Sequence, residues 1–266
     1  MTSDVSRDGV VLLGCGRLGS AMLEGWLATG AVEASDLIIL SPSEKPAAEA
    51  ARAKGARINP PLDALRQAKT VVLAVKPAMW RSALGPLIEH LNPEAVLVSV
   101  MAGVKAADIA ALARRPVARV MPTTAVAQGQ GVAAVWSDDA RALEAAQALF
   151  APVADVAPLE DEALMDAATA VAGSAPAFIY AFVQGLADAG VAQGLSPEAA
   201  ARLARGALRS AGAGLETGEG LDALIARIAS PGGTTRAGLD AMADGGDLTR
   251  AAEAAVSAAV ARAKSL

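Results

Sequence analysis

Short apolar runs alternate with helical stretches along the first half of the chain. The runs cover residues 10–13, 37–40, 70–75, 95–100, 117–121, 131–136 and 153–156. They are apolar at nearly every position, as strands buried on both faces of a parallel sheet are. The alternation therefore predicts an α/β domain in which helices cover a mostly parallel sheet.

The pattern changes after Pro158. The remaining hundred or so residues are rich in Ala, Leu and Arg, with apolar positions at the i, i+3, i+4 spacing of helices and Gly-rich turns between them. This predicts an all-α second domain. We therefore expect one domain over residues 1–157 and a second over 158–266.

One uncharged stretch, residues 167–187, lies between Asp166 and Asp188. Gly173, Pro176 and Gln184 interrupt it, and its flanks are acidic rather than basic, unlike a membrane anchor. We interpret it as a helix buried on all sides, at a subunit interface, and we expect no membrane partner.

Composition narrows the classes of function. The 266 residues are 53% hydrophobic, 19% charged and 3% aromatic, with a net charge of -5, which indicates a globular protein and argues against binding of nucleic acid. With one cysteine, Cys15, and one histidine, His90, we expect no disulfide and no metal. The N-terminus has no apolar core of a signal peptide, so a cytoplasmic protein is expected.

A glycine motif directly follows the first apolar run. Its residues are Gly14-Cys15-Gly16-Arg17-Leu18-Gly19, and a helical pattern continues to Thr29, where Gly30 can end the helix. In a dinucleotide fingerprint, the first glycine permits the tight turn, the second admits the diphosphate and the third lets helix and strand pack. The alternative is a plain glycine-rich turn, but the strand and helix on either side favour a Rossmann dinucleotide site.

The end of the second run bears on the choice of cofactor. An NAD site would carry Asp or Glu there, whereas this chain has Ser41, followed by Ser43 and Lys45. These hydroxyls and this positive charge favour the 2′-phosphate of NADP, although Glu44 leaves NAD possible. The alternative is a simple turn that caps the next helix.

The usual proton-handling residues are missing. The only tyrosine, Tyr180, is followed four residues later by Gln184, and no lysine lies between Lys105 and Lys264. This argues against the Tyr-x-x-x-Lys pair of short-chain dehydrogenases and the lysine of β-hydroxyacid dehydrogenases. A cyclic imine carries its own basic nitrogen, so its reduction depends more on positioning than on a protein acid.

The most informative motif is Ser230-Pro231-Gly232-Gly233-Thr234-Thr235, which opens a helix. Successive backbone N–H groups, hydroxyls and a helix N-terminus can bind a small anion such as a carboxylate. A capped helix after a proline turn is the simpler alternative.

The chain resembles pyrroline-5-carboxylate reductases over nearly its whole length. The resemblance rests on the glycine motif, on the Ser230–Thr235 motif and on four further segments: Ala74-Val75-Lys76-Pro77, Arg119-Val120-Met121-Pro122, Gly173-Ser174-Ala175-Pro176-Ala177 and Leu215-Glu216-Thr217-Gly218. It implies a Rossmann domain, a helical dimerisation domain, and a homodimer or ring of dimers that reduces 1-pyrroline-5-carboxylate to L-proline with NADPH.

The motifs and the resemblance together give the expected site. Thr235 and Ser230 are the expected catalytic residues, and Ser174, Gly232, Gly233 and Thr234 the expected substrate-binding residues. The expected cofactor-binding residues are Gly14, Gly16, Arg17, Leu18, Gly19, Ser41, Ser43, Lys45, Val75, Lys76, Pro77, Met121, Pro122 and Thr123.

The chain departs from the family pattern at several positions, among them Thr123, Ala125, Ala172 and Ile225. Two other functions are therefore kept open. One is the reduction of a different cyclic imine. The other is a catalytically silent NADP-binding sensor or scaffold.

Overall fold

The computed structural model describes residues 8–264. These residues form two compact units: the chain up to Gly173 together with the residues from Val260, and the segment Ser174–Ala259. The boundary expected between residues 157 and 158 lies one residue before the end of the last described strand, whereas the division into units falls between Gly173 and Ser174. The first seven residues, on which the expectation of a cytoplasmic protein partly rested, lie outside the described part of the chain.

The first unit contains an eight-stranded sheet within the described residues. Its strands are β1 (Val10–Leu13), β2 (Leu37–Leu40), β3 (Arg57–Ile58), β4 (Thr70–Leu73), β5 (Val96–Ser99), β6 (Val117–Pro122), β7 (Gly131–Trp136) and β8 (Ala154–Pro158). The strand order is β3-β2-β1-β4-β5-β6-β7-β8. Strands β1 to β6 are parallel, β7 pairs antiparallel with β6, and β8 pairs parallel with β7.

The topology creates a switch point at β1, which pairs with β2 on one side and β4 on the other. Ligands of doubly wound sheets bind outside the carboxyl ends of the strands at such a point. The predicted mostly parallel α/β sheet is confirmed. Strand β3 was not predicted, because two residues are too few to produce a hydrophobic pattern.

Helices connect the strands and continue to the C-terminus. Those that begin in the first unit are α1 (Arg17–Thr29), α2 (Pro46–Ala53), α3 (Trp80–Leu84), α4 (Ala106–Ala113), α5 (Ala140–Phe150) and α6 (Met165–Ala168). Those that begin in the second are α7 (Ala175–Ala192), α8 (Pro197–Leu215), α9 (Leu221–Ile228), α10 (Thr234–Ala243) and α11 (Asp247–Ala263). The all-helical character predicted after Pro158 is confirmed.

The core of the first unit lies on both faces of the sheet. Alternate residues of each strand face opposite sides, so that Leu12 packs in one apolar cluster and Val11 in the other. In the first cluster, the fully buried Trp26 of α1 donates its indole N–H to the carbonyl oxygen of Leu149 at 2.8 Å. Its ring meets Phe150 edge-on at 6.1 Å, which fixes α1, the helix of the glycine motif, against α5.

The second unit begins with the helical hairpin of α7 and α8. Ala187, Ala200 and Ala204 form its small buried cluster. A groove of about 850 Å³ between the two helices is lined partly by Arg202, Arg205 and Arg209.

The uncharged stretch is helical but is interrupted by a π-helical segment, Thr169–Ser174. Among the described residues, the helical stretch Glu162–Ala192 is long and apolar enough to cross a membrane by length and composition alone, and only 11% of its most apolar window is buried. The prediction of a helix buried on all sides is therefore wrong for the single chain. Val171 and Tyr180, for example, are 62% and 65% exposed. Burial between subunits stays a prediction.

Candidate active site

The glycine motif lies at the switch point, between the carboxyl ends of β1 and β4. Gly14 has a φ of 101°, and a Cβ there would lie 2.6 Å from the carbonyl oxygen of Ala74. A Cβ on Gly19 would lie 2.4 Å from the carbonyl oxygen of Gly14. Only glycine fits either position, because the turn needs a left-handed backbone and the helix approaches the strand closely.

Gly16 is different, because an added Cβ would meet no atom within 4 Å. It is exposed and stands as the N-cap of α1, with Arg17 and Leu18 opening the helix. The free N–H groups of a helix N-terminus and the space above Gly16 are what a diphosphate needs. This cradle fits a dinucleotide.

The turn after β2 corresponds to the adenosine end of such a site. Ser41 is buried, and its hydroxyl donates to the carbonyl oxygen of Ser43 at 2.8 Å. Ser43 is exposed, and Lys45 is the half-buried N-cap of α2. The structure therefore places the three predicted residues in one turn, with the Ser41 hydroxyl turned toward that turn's own backbone.

Sequence reasoning missed Asn59, which follows β3 and has a φ of 45°. Its side-chain oxygen accepts from the N–H of Ser41 at 3.0 Å, and its side-chain nitrogen donates to the Ser41 carbonyl oxygen at 2.8 Å. Asn59 thus fixes the Ser41 turn. The sequence Asn59-Pro60-Pro61 marks a turn, but it does not reveal which backbone the amide contacts.

Two further loops complete the first unit's part of the site. Val75, Lys76 and Pro77 follow β4, and the Val75 side chain lies next to Gly14. Met121 and Pro122 are the buried end of β6. The following Thr123 pairs with Val132 through its backbone N–H at 2.9 Å and through its hydroxyl oxygen, which accepts from the Val132 N–H at 3.1 Å.

The predicted substrate residues lie in the second unit. Gly232 has a φ of 72°, the N–H of Gly233 donates to the carbonyl oxygen of Ser230 at 3.0 Å, and α10 begins at Thr234. A Cβ on Gly233 would lie 2.7 Å from the Ser230 Oγ. The loop is exposed or half-buried, and the hydroxyls of Ser230 and Thr235 make no hydrogen bond within residues 8–264. It therefore has the hydroxyls and helix N-terminus of an anion site.

Ser174 is the last residue of the π-helical segment and immediately precedes α7. It is half-buried, and its side chain does not cap the helix. Single π-helical turns are common at functional sites. The structure thus places the predicted cofactor residues in the first unit and all the predicted substrate residues in the second.

The predicted site residues can bind ligands and orient them. Within residues 8–264, no group of three or more His, Cys, Asp or Glu side chains could hold a metal ion. His90 ends a 3₁₀ helix, Gly85–His90, and faces Asp63, with 3.5 Å between the ring Nδ1 and a carboxylate oxygen. It takes no part in the site described above.

Two family models match this chain, one in its N-terminal part and one in its C-terminal part. The family model described as "NADP oxidoreductase coenzyme F420-dependent" matches residues 9–103. The one described as "Pyrroline-5-carboxylate reductase dimerisation" matches residues 162–266. The second match begins at Glu162, before the start of the second compact unit.

Three curated relatives, all named pyrroline-5-carboxylate reductase, are similar to this chain over most of their length. The pyrroline-5-carboxylate reductase of Pseudomonas aeruginosa is 33% identical over 88% of this chain and 88% of its own length. That of Mycobacterium tuberculosis is 33% identical over 97% of this chain and 96% of its own. That of Thermus thermophilus is 35% identical over 88% of this chain and 89% of its own.

Solved structures agree. The enzyme of Coxiella burnetii superposes with a TM-score of 0.87 at 25% identity, covering 97% of this chain and 98% of that one. The Plasmodium falciparum pyrroline carboxylate reductase, solved with NADP bound, gives a TM-score of 0.78 at 25% identity and covers 98% of each chain. With relatives at about one-third identity over most of both chains, the chain belongs to the pyrroline-5-carboxylate reductase family.

Proposed function

We propose that the protein reduces 1-pyrroline-5-carboxylate to L-proline with NADPH. The observation that carries the proposal is the glycine cradle of Gly14, Gly16 and Gly19 in a chain whose whole-length relatives are pyrroline-5-carboxylate reductases. Bound NADPH supplies a hydride to the imine carbon, and with one proton on the ring nitrogen the products are proline and NADP⁺.

The residues of the first unit bind and orient the cofactor. The N–H groups at the start of α1 bind the diphosphate, while Gly16 leaves room for it. Ser43 and Lys45 bind the 2′-phosphate, in a turn that Asn59 holds and in which Ser41, rather than Asp or Glu, directly follows β2. Leu18, the loop after β4 and the residues 121–123 flank the remainder of the cofactor.

The residues of the second unit bind the substrate. The N–H group of Thr234 and the hydroxyls of Ser230 and Thr235 bind the substrate carboxylate, with Gly232, Gly233 and Ser174 shaping the site. The N–H of Gly233, an expected substrate-binding residue, takes no part because it already donates to the Ser230 carbonyl oxygen. Thr235 also hydrogen-bonds the ring nitrogen, as the family resemblance implies. Because the predicted substrate-site residues include no Lys, His or Tyr acid, the enzyme acts chiefly by holding the protonated imine in a reactive geometry.

The assembly follows from the surface of the second unit and from the dimerisation family. The chain oligomerises through the region that matches that family. We propose a homodimer, with a ring of dimers as the larger assembly, in which the exposed apolar residues of α7 are buried between subunits.

The test is NADPH oxidation on addition of pyrroline-5-carboxylate to the purified protein, with proline identified as the product. The same assay with cyclic imines of other ring sizes, and with NADH, distinguishes a reductase of another imine. NADPH binding without oxidation by any of these imines would contradict the proposal and favour a silent NADP-binding protein.

A further inference from the structure

A buried arginine, Arg119, stands in the middle of β6. It is only 5% exposed and lies in register with Ser99 of β5 and Trp136 of β7. Its Nη1 donates to Glu162 Oε1 at 3.1 Å, and its Nη2 donates to the carbonyl oxygen of Met101 at 3.4 Å. The guanidinium therefore joins β6 both to the loop that follows β5 and to the segment that follows the sheet.

Glu162 completes the connection. The same Oε1 accepts from the backbone N–H of Ala106 at 2.7 Å, and Ala106 is the first residue of α4. The ion pair thus contacts both ends of the β5–α4 loop, residues 100–105: Met101 through the arginine and the start of α4 through the carboxylate. A third contact, from the Met101 N–H to the Ser99 hydroxyl at 3.4 Å, holds the beginning of the loop.

The β5–α4 loop, which the Arg119–Glu162 pair holds, lies near the expected nicotinamide end of the cofactor. The turn after β2 serves the adenosine end of a dinucleotide, and the diphosphate crosses at the N-terminus of α1. The nicotinamide end therefore extends past β4 toward the carboxyl ends of β5 and β6. The β5–α4 loop and Met121 of β6 lie at that edge.

Stability alone does not explain this pair. Burying an ion pair costs desolvation energy that apolar residues of the same volume would avoid. The Arg119 Nε is also buried without a hydrogen-bond partner within the described residues, which adds to the cost. What the two side chains provide that apolar groups cannot is a set of directed hydrogen bonds to the backbone at both ends of one loop.

We propose that Arg119 and Glu162 are positioning residues for hydride transfer, which set the β5–α4 loop at the nicotinamide end of the cofactor site. Neither side chain needs to touch the substrate. This inference rests on the proposed function. It assigns a role to Glu162, which lies in no motif quoted above, and to Arg119, which lies in one but is not among the expected site residues.

The test compares Arg119→Lys and Glu162→Gln with Arg115→Lys. Arg119→Lys keeps a positive charge that can pair with Glu162. An ammonium group lacks the planar, forked geometry of a guanidinium, so it cannot also donate to the Met101 carbonyl oxygen. The glutamine at 162 keeps the shape and an acceptor oxygen without the charge. Arg115 is the matched control, since it also hydrogen-bonds backbone carbonyl oxygens, those of Asn92, Ala113, Ile88 and Leu91, but precedes β6, at the opposite edge of the sheet.

Four quantities are measured for each variant: the thermal midpoint, the hydrogen exchange of peptides covering residues 101–106, the kinetic constants and the Kd for NADPH. In Arg119→Lys and Glu162→Gln we expect faster exchange in that loop, with and without NADPH. We expect kcat to fall at least about 10-fold for Arg119→Lys, and by less for Glu162→Gln, while the Kd for NADPH stays within about 3-fold. Arg115→Lys should lower the thermal midpoint without changing kcat or the exchange of the loop.

The double variant Arg119→Lys/Glu162→Gln should lower kcat by a smaller factor than the product of the two single-variant factors, because both side chains act through one loop. Unchanged loop exchange and kcat in both single variants would overturn the inference, as would an equal loss of kcat in Arg115→Lys. These results are distinct from a failure of the proposed function, in which the parent protein itself would not reduce the imine. If Arg119→Lys does not fold, Glu162→Gln decides alone.

Discussion

The substitution Gly16→Ala should abolish tight NADPH binding while leaving the free protein folded. Gly16 has a φ of -76° and a ψ of -161°, which alanine adopts without strain, and the added Cβ would meet no atom within 4 Å. Alanine restricts the unfolded chain, which stabilises by about 0.4–1 kcal/mol, and it is a poorer N-cap than glycine by a similar amount. The free energy of unfolding should therefore change by less than about 1 kcal/mol.

Binding should change far more, because the methyl group enters the space that the diphosphate needs. A carbon atom keeps a phosphate oxygen more than about 3.4 Å away, whereas the backbone N–H groups of α1 must reach it at about 2.9 Å. Losing two such charge-assisted hydrogen bonds, at roughly 1.5 kcal/mol or more each, costs about 3 kcal/mol. The Kd for NADPH should rise about 100-fold.

Calorimetric titration with NADPH gives the Kd, and thermal unfolding of the free protein gives the stability. Gly85→Ala is the control, since Gly85 also has open space around its Cα and a helical backbone but carries no predicted cofactor contact. A Kd for Gly16→Ala within about 3-fold of the parent value would refute the placement of the diphosphate. A loss of more than about 2 kcal/mol of stability would refute the claim of open space.

Three other predictions follow from the same site. Ser41→Asp should weaken the binding of NADPH at least about 10-fold more than that of NADH, because a carboxylate at the end of β2 repels the 2′-phosphate. Equal Kd changes for both cofactors would contradict this. Thr235→Ala should lower kcat/KM for pyrroline-5-carboxylate at least about 10-fold with little change in the Kd for NADPH, and parental kinetics in both Thr235→Ala and Ser230→Ala would place the substrate elsewhere. Sedimentation should show a dimer at micromolar concentration, since a stable folded monomer would leave Val171 and Tyr180 in water.

The sequence predicts the sheet well because its strands are continuous apolar runs. Residues 10–13, 37–40 and 131–136 are strands with the predicted bounds, and the other predicted strands differ by one or two residues at their ends. The start of α1 within the glycine motif, after Gly16, and its end at Gly30, with a φ of 71°, also follow from local chemistry. These features depend on neighbours in sequence, so a pattern suffices to find them.

Contacts between distant segments leave no such pattern. Asn59 holds the backbone of Ser41 from 18 residues away, and Glu162 meets Arg119 across 43 residues. Each is a single polar residue whose partner depends on the order of the strands. Composition could not show what buries residues 167–187 either. An apolar helix has the same sequence pattern whether its own chain or a second subunit covers it.

The return of the chain's last described residues to the first unit has a consequence for the order of folding during synthesis. Residues from Val260 belong to the first unit although the whole second unit precedes them, and Ala263 at the end of α11 is buried. A nascent chain emerges from its N-terminus and folds unit by unit. The sheet, complete at Pro158, can therefore form while α7 to α10 are still being made. The last turn of α11 arrives afterwards, and a chain that stops before Val260 leaves part of the first unit uncovered.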